Sequence, residues 1–169
     1  MDTGRGTAGG LAKGTLYDDE VVAWAEQQAA LIRTRRWSLV DVDNIAEEIE
    51  DVAKSDKRAL RNHMVVLLAH LLKWAYQPVR RGGSWTRTIG MQRSAIEDAV
   101  EDSPSLRGLL ENPNWLATTY QRAVRGAKHE AGLKNLPAEL PWKLGEVMDF
   151  DFFPPPADST AESGHKGRS

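Results

Sequence analysis

An all-α fold is predicted for this chain: a compact bundle of about five or six helices around a long central helix, with no sheet. Three observations lead there. Apolar residues recur three and four apart along nearly every segment between residues 15 and 153, which is the period of a half-buried helix. Neither glycine nor proline interrupts residues 41–77, so a single rod of about 50 Å fits there. No segment shows the alternation of a half-buried strand, and there is no internal repeat.

The first helix is expected over residues 19–33. Asp18 or Asp19 can cap it, and Glu20 in its first turn complements the helix dipole. Trp24, Gln28, Leu31 and Ile32 recur at helical spacing, and "RTRRWSL" ends the helix with Arg33, Arg35 and Arg36. The second helix starts at "DVDNIAEEIEDVAKSDKR" and runs to Tyr76, with Ser55 as its one weak point and Pro78 as its stop. "RRGGS" connects it to a third helix, capped by Ser84, whose core stripe is Trp85, Ile89, Ile96 and Val100. "SPSLRGLLENP" reads as a short helix capped by Ser103 or Ser105. "NPNWLATTYQRAVRGAKHEAG" gives a further helix closed by Gly132, with Ala123, Ala127 and Ala131 allowing close approach to a neighbour. "LPWKLGEVMDFDFFP" supplies one more short helix and an apolar coda that packs back on the bundle.

Residues 15–153 are read as a single helical domain. The glycine-rich residues 1–14 and the proline-rich residues 154–169 lack apolar periodicity and are expected to be disordered.

Projecting residues 41–77 at helical pitch places Ile45, Ile49, Val52, Ala59, Leu60, Leu67, Leu71 and Trp74 on one stripe, expected to face the core. Asp56, His63 and His70 share that stripe. Glu47, Glu50, Asp51, Lys54, Lys57, Arg58 and Arg61 lie outside it. Residues 62–76 are apolar nearly all round, the mark of a helix enclosed by others. Lys73 leaves the stripe for the surface or snorkels there.

Composition excludes several function classes. The net charge of −2 gives no global attraction to nucleic acid or anionic membrane. The absence of cysteine removes disulfides, thiolate metal sites and cysteine nucleophiles, and fits a reducing compartment. The longest apolar run, "MVVLLAHLLKWAY", is too short for a membrane span, and the N-terminus has no apolar signal core. A soluble, cytoplasmic protein without membrane association is expected.

Four kinds of site come into question. Asp56, His63 and His70 are seven apart, about 10 Å along a helix axis, so no two of them bind one metal ion from this helix. His129 and His165 are poorly placed to help, and no metal or cofactor is expected. An interior acid–base site around His70, with Asp56, Gln92 and Arg93 as candidate partners, is one reading; mutual hydrogen-bond satisfaction of the same groups is the other. Nucleic-acid binding would draw on Arg33, Arg35 and Arg36 or on Arg80, Arg81 and Arg87, with Trp37 and Trp85 to stack bases. Those tryptophans head apolar stripes, so a core location is expected for them, and this reading is not favoured. Protein partnering, by self-association or as an adaptor, is the favoured reading. It rests on the charge-dense amphipathic segment 41–61, acidic at Glu47, Glu48, Glu50 and Asp51, with Glu50 and Lys54 paired four apart; Arg80 and Arg81 are further interaction candidates.

"YDDEVVAWAEQQAALIRTRRW", "NIAEEIEDVAKSDKRAL", "HLLKWAYQP", "SWTRTIGMQR", "DSPSL" and "LPWKL", in this order from Tyr17 to Pro154, resemble the bacterial family catalogued as domain of unknown function 29. The resemblance implies an all-helical prokaryotic domain of small standalone proteins, without an established activity and with no assigned site residue. The family's recurring signatures correspond here to Glu47, Glu48, Glu50, His70, Lys73, Trp74, Ser84, Trp85, Gln92 and Arg93.

Overall fold

The computed structural model describes residues 20–157. The disordered segment expected at residues 1–14, most of that expected at 154–169, the Asp18 and Asp19 caps and His165 lie outside the described residues. Among the described residues all regular structure is helical: six α-helices and three short 3-10 turns, with no strand. The helices are α1 (Val21–Arg33), α2 (Val42–Tyr76), α3 (Gly83–Asp102), α4 (Arg107–Leu110), α5 (Pro113–Ala131) and α6 (Leu144–Met148). The chain is all-α, as its periodicity predicts. Contacts divide it between Lys54 and Ser55 into two compact units.

In the first unit, α1 buries Trp24 and Gln28. It ends in a Schellman turn: the Arg36 N–H donates to the Leu31 carbonyl (2.9 Å) and the Arg35 N–H to that of Ile32 (3.0 Å). Arg35 takes the left-handed conformation there, with φ of 57°, a place glycine usually fills. The 3-10 turn Trp37–Leu39 follows and directs Val40 inward. Trp37, expected in a core, is instead 61% exposed, because the turn leaves it and Leu39 outside. The Asp41 N–H donates to Gln28 Oε1 at 2.9 Å, and Asn44 Nδ2 donates to the Asp41 carboxylate at 2.8 Å. Through these bonds a buried glutamine of α1 fixes where α2 starts.

α2 is unbroken; Ser55 does not interrupt it. Its projected core stripe is only half covered. Ile49, Val52 and Ala59 are exposed, and every residue from 49 to 59 is exposed. Periodicity shows which residues share a face, and coverage of that face depends on what packs over it.

In the second unit the same helix becomes an enclosed axis. Leu60, Met64, Leu67, Leu68, Leu71 and Leu72 have no exposed surface, and they cluster with Ile89, Ile96, Tyr120, Ala123, Ala127 and Val147. Burying each large aliphatic side chain stabilises the fold by about 1.5–3 kcal/mol. Two expected caps differ. α3 begins at Gly83, with the Gly82 carbonyl accepting from Trp85 and Thr86; Ser84 therefore sits inside the first turn, where its hydroxyl cannot cap. Ser103 precedes the Pro104–Leu106 turn but makes no side-chain cap. α5 follows its signals more closely: Asn112 Oδ1 accepts from the Trp115 N–H at 3.0 Å, Pro113 opens the helix, and Gly132 closes it at φ of 64°.

Candidate functional site

The C-terminal half of α2 carries the candidate acid–base residues. His70 is half-buried, and its Nδ1 lies 2.8 Å from the Val66 carbonyl. A carbonyl only accepts, so the neutral imidazole holds its proton on Nδ1 and leaves Nε2 basic. Burial pushes the His70 pKa below its ordinary value and Lys73 adds to this, against the Val66 bond and Glu130. Lys73, expected at the surface, is 7% exposed. The reason lies in α5: Glu130, whose own side chain is 61% exposed, brings Oε2 to 2.5 Å from the ammonium and neutralises it at the edge of the fold. That hydrogen bond from Lys73 is the main cause holding the Glu130 carboxyl below its usual pKa.

The expected partners of His70 are engaged elsewhere. Gln92 Oε1 pairs with His63 Nδ1 at 2.8 Å. Arg93 has no exposed surface; its Nε donates to the Val147 carbonyl (2.8 Å) and its Nη2 to that of Phe152 (2.9 Å), with Nη1 at 3.4 Å from that of Phe150. Asp56 is exposed. The four-residue network drawn around His70 is thus not assembled. Arg93 holds the C-terminal segment instead.

An aromatic–cation ladder completes that anchor. Arg81 stacks on Trp74 at 5.0 Å, Trp74 meets Phe153 at 4.8 Å, and Arg93 lies 5.6 Å from the Phe153 ring. Arg81 also donates from Nε to the Trp74 carbonyl at 2.9 Å. Of the basic cluster Arg80, Arg81 and Arg87, Arg81 is therefore taken up in packing, and the other two are exposed. The "HLLKWAYQP", "SWTRTIGMQR" and "DFFP" stretches meet here for a structural purpose.

The first unit offers a different kind of surface. Trp24, Ala25, Gln28, Ala29 and Ile32 of α1 and Ile45, Glu48, Ile49 and Val52 of α2 line a groove of about 280 Å³. Ile49 is 66% exposed and Val52 64%. These large aliphatic side chains gather along one groove rather than scattering singly over the surface. Glu48 lines this groove; Glu47, Glu50 and Asp51 are exposed and are not part of its lining. Lys54 bridges Asp51 (3.0 Å) and Glu50 (3.7 Å) along the outer face, and Asp51 chiefly raises the Lys54 pKa. Of the four acidic residues named from sequence, Glu48 alone lines the groove. Its apolar floor was missed, because Ile45, Ile49 and Val52 read as core positions. The available signal was the density of charge on 41–61, too high for a helix packed on several sides.

Among the described residues no three His, Asp or Glu side chains cluster as a metal site would require, and no helix is long and apolar enough to cross a membrane. A family model described as "Domain of unknown function DUF29" matches residues 16–153. No curated protein and no solved structure gives a significant match to the chain.

Proposed function

The chain belongs to the DUF29 family, and from that premise we propose that it acts through protein–protein contact, using the groove of its first unit as the docking surface. The exposure of Ile49 and Val52 within that apolar groove carries the reading. An amphipathic helix laid between α1 and α2 would bury both side chains, and helix-in-groove recognition uses anchors at this spacing. Glu48, which lines the groove, would orient the incoming helix more than it would tighten binding.

The test compares tagged full-length protein with its Ile49→Glu/Val52→Glu variant, both purified from the native host. Loss of an associated protein in the variant, with unchanged helical circular dichroism, supports the reading. An association that survives both substitutions, or a wild-type protein that brings nothing with it (its own untagged copy included), overturns it.

A further inference from the structure

We propose that the second unit holds a small-molecule site between α3, α4 and α6, and that its ligand is a short apolar peptide with both termini free. The site shares no residue with the groove of the first unit and does not depend on the protein-binding reading.

A cavity of about 390 Å³ opens there, within the size range of small-molecule sites. Ile96 and Val100, four apart on α3, form its apolar part with Leu110 of α4 and Met148 of α6. Ile96 has no exposed surface, Leu110 is 8% exposed and Val100 9%. Glu97 and Glu101 each follow one of these α3 residues, one position further round the helix, and Arg107 opens α4. All three charged side chains line the same cavity and are exposed.

The fold does not use these charges. Among the described residues no ion pair or hydrogen bond engages the side chain of Glu97, Glu101 or Arg107, although they border one cavity. The helix is destabilised by its carboxylates. Glu97 and Glu101 are like charges four apart, as are Asp98 and Asp102. They stand in the last turns of α3, where the dipole favours cations and the helix has no basic residue in its last turn.

Charge and shape together select the ligand. A purely apolar one would strip water from three charges and offer them no partner. A simple anion would face two carboxylates, and a simple cation would face the guanidinium. A zwitterion answers both, with its ammonium at Glu97 and Glu101 and its carboxylate on the Arg107 fork. Its apolar body would cover Val100, Leu110 and Met148. The guanidinium and the carboxylates stand too far apart to pair with each other, so the ligand's charges must be spaced too. A single amino acid carries both on one Cα, whereas a dipeptide sets them on two, about 3.8 Å apart, and brings two side chains to the floor.

The test titrates full-length protein with leucyl-leucine, its N-acetyl form, its C-terminal amide and free leucine, followed by methyl NMR. Expected are saturable shifts at Val100, Leu110 and Met148 with a Kd of about 1 mM or below for leucyl-leucine, and weaker binding of the other three. Glu97→Gln/Glu101→Gln should weaken leucyl-leucine about tenfold and abolish discrimination against the acetylated form. Arg107→Gln should weaken it about threefold and abolish discrimination against the amide. The three positions are exposed, so unchanged circular dichroism is expected of every variant. No saturable shift at those methyls, or a terminal preference that survives its matched variant, overturns the site. Tighter binding of the amide or of the acetylated form overturns the zwitterion, and free leucine binding as tightly overturns the dipeptide length.

Discussion

Replacing Arg93 by methionine keeps most of its volume but removes every donor, and the structure sets what that removes. Arg93 has no exposed surface, and two of its bonds are well formed, to Val147 at 2.8 Å and Phe152 at 2.9 Å. Hydrogen bonds from a charged group contribute about 1.5–3 kcal/mol each. The 3.4 Å approach to Phe150 adds little, and the Phe153 ring about 0.5–2 kcal/mol. Phe152 and Phe153 are only half-buried, so water would recover part of the loss. Burial also lowers the Arg93 pKa, with Asp149 opposing; keeping this cation buried has a cost that methionine avoids. The net expectation is a loss of about 3–4 kcal/mol, with Arg93→Lys intermediate because it keeps the charge without the fork. Urea unfolding followed by tryptophan fluorescence measures it, and hydrogen exchange locates it: amides of residues 147–153 should lose protection first. A loss below about 1 kcal/mol, or unchanged protection of that segment, would rule out the anchoring role.

Glu130→Gln leaves the Lys73 ammonium buried without a counter-ion and should cost about 1–3 kcal/mol, whereas Lys73→Met, which removes the charge itself, should cost less; chemical denaturation of both variants ranks them. Because Glu130 titrates below its ordinary value in the folded chain, its contribution is present at neutral pH and disappears as pH falls through the carboxylate range. Burial first, and Tyr76 second, push the Tyr120 phenol up to about 12, while its hydroxyl donates to the Pro137 carbonyl at 3.0 Å. The neutral form is favoured in the fold, so this contribution is complete below pH 10 and is lost as pH rises toward 12; ultraviolet titration should show a late phenol that Tyr120→Phe removes. Arg35→Gly should stabilise the chain by about 0.5–1 kcal/mol by relieving the left-handed strain at the end of α1, read as a higher midpoint in thermal melting.

The helices were legible in the sequence because their signals are local. Pro78 stops α2, Asn112 and Pro113 open α5, and Gly132 closes it, each by backbone chemistry within a few residues. The side-chain partnerships were not legible. Gln92 sits near the face expected to reach His70, yet which histidine it meets depends on the offset between α2 and α3, which spacing within one helix does not encode. Lys73 read as a surface residue because its partner, Glu130, is 57 positions away. The same limit hid the groove: Ile49 and Leu60 look alike on a helical projection, but Leu60 has no exposed surface and Ile49 is 66% exposed. A projection shows which side chains share a face. Whether anything covers that face is tertiary, or quaternary, information.

The proposed docking turns on whether protein covers the groove at Ile49 and Val52 in solution. Molar mass by light scattering decides it, for the tagged wild-type chain and for Ile49→Glu/Val52→Glu, each purified from the native host. The expected wild-type mass exceeds the 18.8 kDa of one chain, falling to a single chain in the variant with helix content unchanged. A wild-type chain that stays at its single-chain mass, or a variant that keeps the larger mass, would overturn it.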